Sequence, residues 1–136
     1  MPKKKPNLKD HARQGDRLNI RIDLASGLRI GPGKVAVLEE IARSGSISAA
    51  GRALRISYRR TWELVEELNN GLGLPVVETA AGGSGGGGTL LTAAGKAIIE
   101  RYRAIEVDAA AAARKHLLAL NRFNGNKASP AREAGS

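Results

Sequence analysis

The residues with the most distinctive chemistry form a glycine-rich run, GGSGGGG, at Gly82–Gly88. Gly83, Gly85 and Gly88 satisfy the pattern G-x-G-x-x-G, whose backbone N–H groups bind pyrophosphate in dinucleotide-binding βαβ units. That fingerprint needs a helix directly after the glycines, whereas the strand-like TLL follows here, and the Gly-Lys-Ser/Thr of a P-loop is absent. The run therefore does not predict a nucleotide site.

The flanking residues instead favour a β-hairpin with the glycines at its tip. VVETA before the run and TLL after it are too short to be stable as separate strands, so we expect them to pair. Glycine allows positive φ and close approach to a surface, and exposed N–H groups can contact a DNA phosphate backbone. A hairpin end without a binding role is the alternative. The predicted contacts are Gly82, Gly83, Ser84, Gly85, Gly86, Gly87, Gly88 and Thr89.

A second candidate group lies at the start of YRRTWELVEELNNGLG, which has the period of an amphipathic helix. Arg59 and Arg60 fall in its first turn, and a helix that enters a DNA groove by this end presents both arginines and the positive end of its dipole. The alternative is an ordinary surface helix with Arg59–Glu63 and Glu63–Glu67 as neighbours. The predicted DNA contacts are Ser46, Ser48, Arg55, Ser57, Tyr58, Arg59 and Arg60, and the predicted inward face is Tyr58, Thr61, Trp62, Val65, Leu68 and Leu72.

The composition narrows the class of partner. Lys and Arg number 22 against 13 Asp and Glu, a formal charge of +9, which favours nucleic acid first and an anionic membrane face second. A well-solvated surface is the alternative. Without cysteine the chain has no disulfide, thiol nucleophile or cysteine zinc site, and His11 and His116 alone make no metal site. No apolar run approaches the roughly 20 residues that span a bilayer. We expect a cytoplasmic protein with no membrane partner, metal or cofactor.

The sequence also argues against an enzyme. It offers no nucleophile–base set, and the adjacent pairs Glu39–Glu40 and Glu66–Glu67 are predicted on solvated helix faces rather than in a cleft. General acid–base chemistry would need such carboxylates to converge on a substrate. We therefore expect a binding protein.

Periodicity predicts the elements that position these groups. RLNIRIDL alternates apolar and polar residues as a half-buried strand does, and Ala25–Gly27 can turn it towards a short partner at Leu28–Ile30. The period then becomes helical, and Ser46, Ser57 and Thr92 can cap the helices that follow. Two short helices, a third helix with a basic start and a hairpin predict a mainly α fold with small β-hairpins (α+β), a winged helix-turn-helix. Its third helix enters the major groove and its wing contacts the flanking backbone.

The last helix has an apolar seam that suits a partner helix. Residues spaced by four and three form a heptad pattern, and AAAAA at 109–113 combines high helix propensity with little bulk. Packing on the same chain is the alternative, particularly for Ile98 and Ile99. The predicted dimer interface is Ile98, Tyr102, Ile105, Ala109, Ala112 and His116. The predicted domains are a disordered basic arm at 1–16, a winged helix-turn-helix domain at 17–91, a long dimerisation helix at 92–122 and a disordered tail at 123–136.

The segments SGSISAAGRALRISYRRTWELVEELNN and VVETAAGGSGGGGTLLTAAGKAII resemble the N-terminal domain of the ModE family of molybdate-responsive transcriptional regulators. ISYRRTW and the glycine-rich wing carry the match, which covers about residues 18–105. A weaker similarity, through GSISAAGRALRIS and LTAAG, extends to the LysR-type DNA-binding domain. The resemblance implies a dimer that binds a palindromic operator and controls molybdate uptake or molybdenum-enzyme genes.

The chain departs from that family at its C-terminal end. Family members carry oxyanion-binding domains with a Ser-Ala-Arg-Asn type motif, to which SPAREAGS is only distantly similar. We therefore expect no molybdate sensing by this chain alone, and a separate oxyanion-binding protein is a candidate partner. The leading hypothesis is a sequence-specific regulator, and the alternative is a nucleoid-type protein that binds DNA without reading bases.

Overall fold

The computed structural model describes residues 15–80 and 88–123. The predicted basic arm up to residue 14, the tail from residue 124 and the wing tip from Gly82 to Gly87 lie outside this part of the chain. Two antiparallel two-stranded hairpins accompany the helices, so the expected mainly α fold with small hairpins is confirmed. The order is β1 (Ile22–Asp23), β2 (Arg29–Ile30), α1 (Pro32–Ser44), α2 (Ile47–Leu54), α3 (Tyr58–Leu72), β3 (Val77–Thr79), β4 (Thr89–Leu91) and α4 (Ala93–Phe123).

The first hairpin is much shorter than the alternating pattern predicts. Only Ile22 and Asp23 pair, with Ile30 and Arg29 respectively. The partner strand has no room to extend, because Gly31 is the N-cap of α1 and Pro32 begins the helix. The alternation still places Ile20 and Ile22 against the core, as expected of a half-buried strand.

Hydroxyl side chains begin three helices at the predicted positions. The Ser46 and Ser57 side chains each accept a hydrogen bond from a backbone N–H three residues ahead, at 2.9 Å in both cases. Thr92 Oγ1 accepts from the Gly95 N–H at 3.2 Å and donates to the Pro75 carbonyl at 2.7 Å. Such caps satisfy otherwise unpaired N–H groups and contribute about 1 kcal/mol each. They fix where α2, α3 and α4 begin.

The core of the helix-turn-helix draws on every described helix. Val35, Val37, Leu38 and Ile41 of α1 are fully buried, as are Val65 and Leu68 of α3. Helices α2 and α3 approach closely at Gly51, where an added Cβ would lie 2.5 Å from the Thr61 side-chain oxygen. The absence of a side chain at Gly51 permits this approach. The result is a rigid support under the start of α3.

The long helix α4 is divided between two compact units. Asn19–Ala104 form one unit, and the rest of α4, from Ile105 to Phe123, belongs to the other. The division between these units falls within α4, and the predicted domain boundary before Thr92 stays a prediction. In the second unit, the Asn121 side-chain amide donates to the Asp16 carboxylate at 2.6 Å.

Two residues predicted for the dimer interface belong instead to the core of the chain. Tyr102 is 1% exposed and its hydroxyl donates to the Ile20 carbonyl at 2.7 Å, while Ile98 is also buried. Their assignment to a partner contact is wrong, because neither side chain has surface left for a second chain. Packing on the same chain was the alternative, and it holds for Ile98.

Across residues 15–80 and 88–123, no helix combines the length and apolarity needed to cross a bilayer.

Candidate nucleic-acid interface

The start of α3 projects its side chains into solvent. Tyr58 is 58% exposed, and the side chains of Arg59 and Arg60 are 86% and 50% exposed. The first turn is held from below by Thr61, which is fully buried and whose hydroxyl donates to the Ser57 carbonyl at 2.8 Å. The turn is thus anchored on one side and presents two guanidinium groups on the other.

Tyr58 does not face inward as its place in the helical period predicts. Trp62 is half-buried and packs against the core, and its Nε1–H donates to the Tyr58 hydroxyl at 2.7 Å. Tyr58 remains exposed because it is the first residue of α3, where the neighbouring elements do not cover it. Its exposed position is compatible with the predicted DNA contact.

Arg59 makes the ion pair that the surface-helix alternative predicts, and Arg60 makes ion pairs that were not predicted. Arg59 Nε lies 3.4 Å from one Glu63 carboxylate oxygen, and Arg60 Nη1 lies 3.0 Å from the other. Arg60 also reaches Glu67, at 3.7 Å. The (i, i+4) and (i, i+3) spacings were the available signal for these pairs. Glu63 was not among the predicted site residues.

Helix α2 adds a second group of polar residues, some at its start and others at its C-terminal end. Ser48 is exposed and its hydroxyl accepts a hydrogen bond from Arg52 Nη1 at 3.1 Å. Arg55 is exposed and adopts a left-handed backbone with φ 61°, which few non-glycine residues do. Ser46 is half-buried and its oxygen is occupied by the helix cap. Arg52 was not among the predicted site residues, although its (i, i+4) spacing from Ser48 indicates that the two side chains lie on the same face of the helix.

The wing is fixed to the helix-turn-helix at its root. The Thr89 N–H donates to the Gly45 carbonyl at 2.9 Å, and a Cβ on Gly88 would lie 2.9 Å from the same oxygen. The Ala80 N–H donates to the Gly88 carbonyl at 2.9 Å and continues the ladder in which Thr79 pairs with Thr89. Glycine at position 88 therefore allows close contact with the turn between α1 and α2. The root of the wing therefore lies beside this turn.

The acidic residues of the structure do not assemble into a metal site. In the described part of the chain, no three His, Cys, Asp or Glu side chains lie close enough to bind one ion. Glu39 and Glu40 bind Arg103 and Arg43, respectively. The groups that stand out are thus basic side chains and backbone at the start of α3, the end of α2 and the root of the wing.

Comparison with known families and proteins agrees with this geometry. Residues 33–96 match the family described as bacterial regulatory helix-turn-helix protein, lysR family. The match begins in α1 and ends in α4, so it contains the helix-turn-helix and the wing. Both resemblances inferred from the sequence, to ModE-type regulators and more distantly to LysR-type domains, are confirmed.

Three curated relatives carry names linked to molybdenum or to the ModE regulator. The molybdenum-pterin-binding protein MopB of Rhodobacter capsulatus is 45% identical over 85 residues, which cover 62% of this chain and 32% of MopB. The molybdenum transport protein ModE of Azotobacter vinelandii is 35% identical over 106 residues, or 78% of this chain and 39% of that protein. The DNA-binding transcriptional dual regulator ModE of Escherichia coli K12 is 34% identical over 83 residues, or 61% and 32%. The chain spans between about a third and two fifths of these relatives' lengths.

A solved structure supports the fold directly. The DNA-binding domain of CbnR, crystallised in complex with DNA, superposes with a TM-score of 0.50 and 25% identity, covering 64% of this chain and 95% of that domain. Because the match covers nearly all of that domain, the matched part of this chain corresponds to a whole DNA-binding domain of CbnR. Residues 33–96 of the present chain are therefore similar to the LysR-type helix-turn-helix domain, and the chain is similar in sequence to ModE-type regulators.

Proposed function

We propose that this chain is a sequence-specific, dimeric DNA-binding transcriptional regulator and not an enzyme. In this proposal the start of α3 enters the major groove of operator DNA and the glycine-rich wing contacts the flanking backbone. Ser48 at the start of α2 and Arg55 at its C-cap contact phosphates beside that groove. The protein acts in the cytoplasm, where its DNA target lies.

The observation that carries the proposal is the exposed, anchored start of α3. Ser57 caps the helix, buried Thr61 holds its first turn, and Arg59 and Arg60 project from it. The positive end of the helix dipole adds to their attraction for phosphate. Arginine suits base reading as well, because its fork of donors matches guanine O6 and N7.

A selection experiment tests this function. Genomic fragments that bind the full chain are enriched, the strongest site is made as a short duplex, and its affinity is compared with that of a scrambled duplex. A regulator of this kind prefers its operator by about 10³-fold or more at physiological salt. Equal affinity for both duplexes contradicts base reading and favours the nucleoid-type alternative, which depends on the basic charge alone.

The names of the relatives suggest the class of target gene. We propose that the operators lie beside genes for molybdate uptake or molybdenum enzymes, because the chain is similar to MopB and to two ModE proteins. Enrichment of such promoters in the selection supports the link, whereas promoters without any shared function contradict it. A separate oxyanion-binding protein is a proposed partner in this control, and its addition with molybdate should change operator affinity.

Dimer formation is proposed through the part of α4 beyond Ala104. Large apolar side chains are exposed there, including Val107 at 68%, Leu118 at 56% and Leu120 at 60%. Of the predicted interface, Ile105, Ala109, Ala112 and His116 remain in this proposal after the removal of Ile98 and Tyr102. An Ile105→Glu, Ala112→Glu double variant should sediment as a monomer, and a variant that stays dimeric contradicts this interface.

A further inference from the structure

A single carboxylate joins the two arginines at the start of α3. One oxygen of Glu63 lies 3.4 Å from Arg59 Nε, and the other lies 3.0 Å from Arg60 Nη1 and accepts its hydrogen bond. Glu67 continues the chain of charges, since its two oxygens lie 3.7 Å from Arg60 and 3.2 Å from Lys34 Nζ. The guanidinium groups are therefore held in a defined arrangement before any DNA binds.

These ion pairs are too exposed to be explained by folding stability. The Glu63 side chain is 45% exposed and Arg59 is 86% exposed, and ion pairs in such positions contribute little to stability because water and salt screen them. The arrangement instead affects what the two arginines can bind.

Glu63 leaves some arginine donors available and engages others. Arg59 uses Nε towards Glu63, so both of its terminal nitrogens are unengaged within the described residues. Two terminal N–H groups match the paired acceptors O6 and N7 of guanine. Arg60 directs one terminal nitrogen, Nη1, towards both glutamates. The arrangement thus retains a bidentate donor pair on the more exposed arginine.

The same carboxylate opposes contacts with phosphate. An arginine that turns towards a phosphate must give up its glutamate, and the carboxylate then lies near a second negative charge. Non-specific binding gains almost entirely from phosphate contacts, whereas operator binding also gains from base edges. A negative charge at this position therefore weakens non-operator binding more than operator binding.

We propose that Glu63 is a specificity-determining residue, which orients Arg59 and Arg60 for base edges and reduces their contacts with the phosphates of non-operator DNA. This inference rests on the proposed function, since it requires a selected operator. It assigns to an acidic residue a positive role in DNA recognition by a strongly basic protein.

The test compares Glu63→Gln with Glu66→Gln in the full chain. Glu66 lies on the same helix, is exposed and makes no ion pair within the described residues, so its substitution changes the net charge equally. Glu63→Gln should tighten binding to the scrambled duplex by about 1.5- to fivefold, the range that corresponds to the energy of an exposed ion pair. Operator affinity should stay constant or fall, so the preference for operator decreases. Glu66→Gln should leave that preference unchanged.

A coupled measurement shows whether Glu63 acts through the arginines. In an Arg59→Ala, Arg60→Ala background, Glu63→Gln should no longer change the ratio of operator to scrambled affinity. The inference is overturned if Glu63→Gln and Glu66→Gln alter the ratio equally, or if the Glu63 effect persists in the absence of both arginines. If the unsubstituted chain shows no preference for any duplex, the proposed function itself fails, and this result is distinct from the other two.

Discussion

Helices α3 and α4 begin alike but use their first turns in opposite ways. Each starts with a hydroxyl cap, from Ser57 and Thr92 respectively. The first turns of α4 are buried, with Gly95 against the Val76 carbonyl and Tyr102 inside the core, whereas the first turn of α3 leaves Arg59 and its neighbours in solvent. The start of α4 therefore serves packing, whereas the start of α3 is available for binding. Substitutions should therefore separate loss of stability from loss of DNA affinity.

The largest effect on stability is expected at Tyr102. Tyr102→Ala removes a fully buried aromatic ring and its hydrogen bond to Ile20, and should lower the free energy of unfolding by about 3–5 kcal/mol. Denaturant unfolding measures this change. Leu74→Ala is the control, because its side chain is 56% exposed and its truncation should cost far less. Equal losses from both substitutions contradict the assignment of Tyr102 to the core.

A smaller loss is expected from adding one methyl group at Gly95. Its Cβ would lie 2.4 Å from the Val76 carbonyl oxygen, so Gly95→Ala must shift backbone and should cost about 1–3 kcal/mol. Gly33→Ala is the matched control within α1, because no atom lies within 4 Å of the added Cβ. The control should be neutral or stabilising by up to about 1 kcal/mol, since alanine favours helix. Thermal melting of both variants measures the difference, and a destabilised control contradicts the packing argument.

Arg55 allows the backbone to be tested apart from the side chain. Its left-handed conformation suits glycine, so Arg55→Gly should leave stability unchanged or raise it by up to about 1 kcal/mol. The same variant loses a proposed phosphate contact and should bind operator and scrambled DNA more weakly to a similar degree. Calorimetric melting and DNA titration on one sample measure the two effects. Unchanged DNA affinity removes Arg55 from the proposed interface.

The sequence predicted the beginnings of helices better than the environment of single residues. Ser46, Ser57 and Thr92 cap where expected, because capping depends on local hydrogen bonds within three residues. The closeness of Gly95 to Val76 could not be read in this way, since it depends on how distant segments meet. The confirmed fold class follows from such local signals together with the change of periodicity from strand to helix.

Other differences arise where one pattern suits two environments. An apolar stripe along α4 can pack either on a partner helix or on the core of the same chain. Ile98 and Tyr102 were predicted to contact a partner helix, but they lie in the core of the same chain. Helical periodicity likewise placed Tyr58 inside, although the first residue of a helix has no preceding turn to cover it. The positions of Arg59 and Arg60 on α3 could be predicted from the helical period. The sharing of Glu63 between them could not, because it depends on side-chain rotamers.

The central claim is that the exposed start of α3 binds operator DNA. The most direct measurement is the operator affinity of Arg59→Ala beside that of Arg101→Ala, which removes the same charge from an exposed site on α4. Arg59→Ala should weaken operator binding by about 1–3 kcal/mol with an unchanged melting temperature, whereas Arg101→Ala should have little effect on either. Equal, small losses of operator affinity from the two variants would contradict the claim, because the start of α3 would then contribute only its share of the net charge.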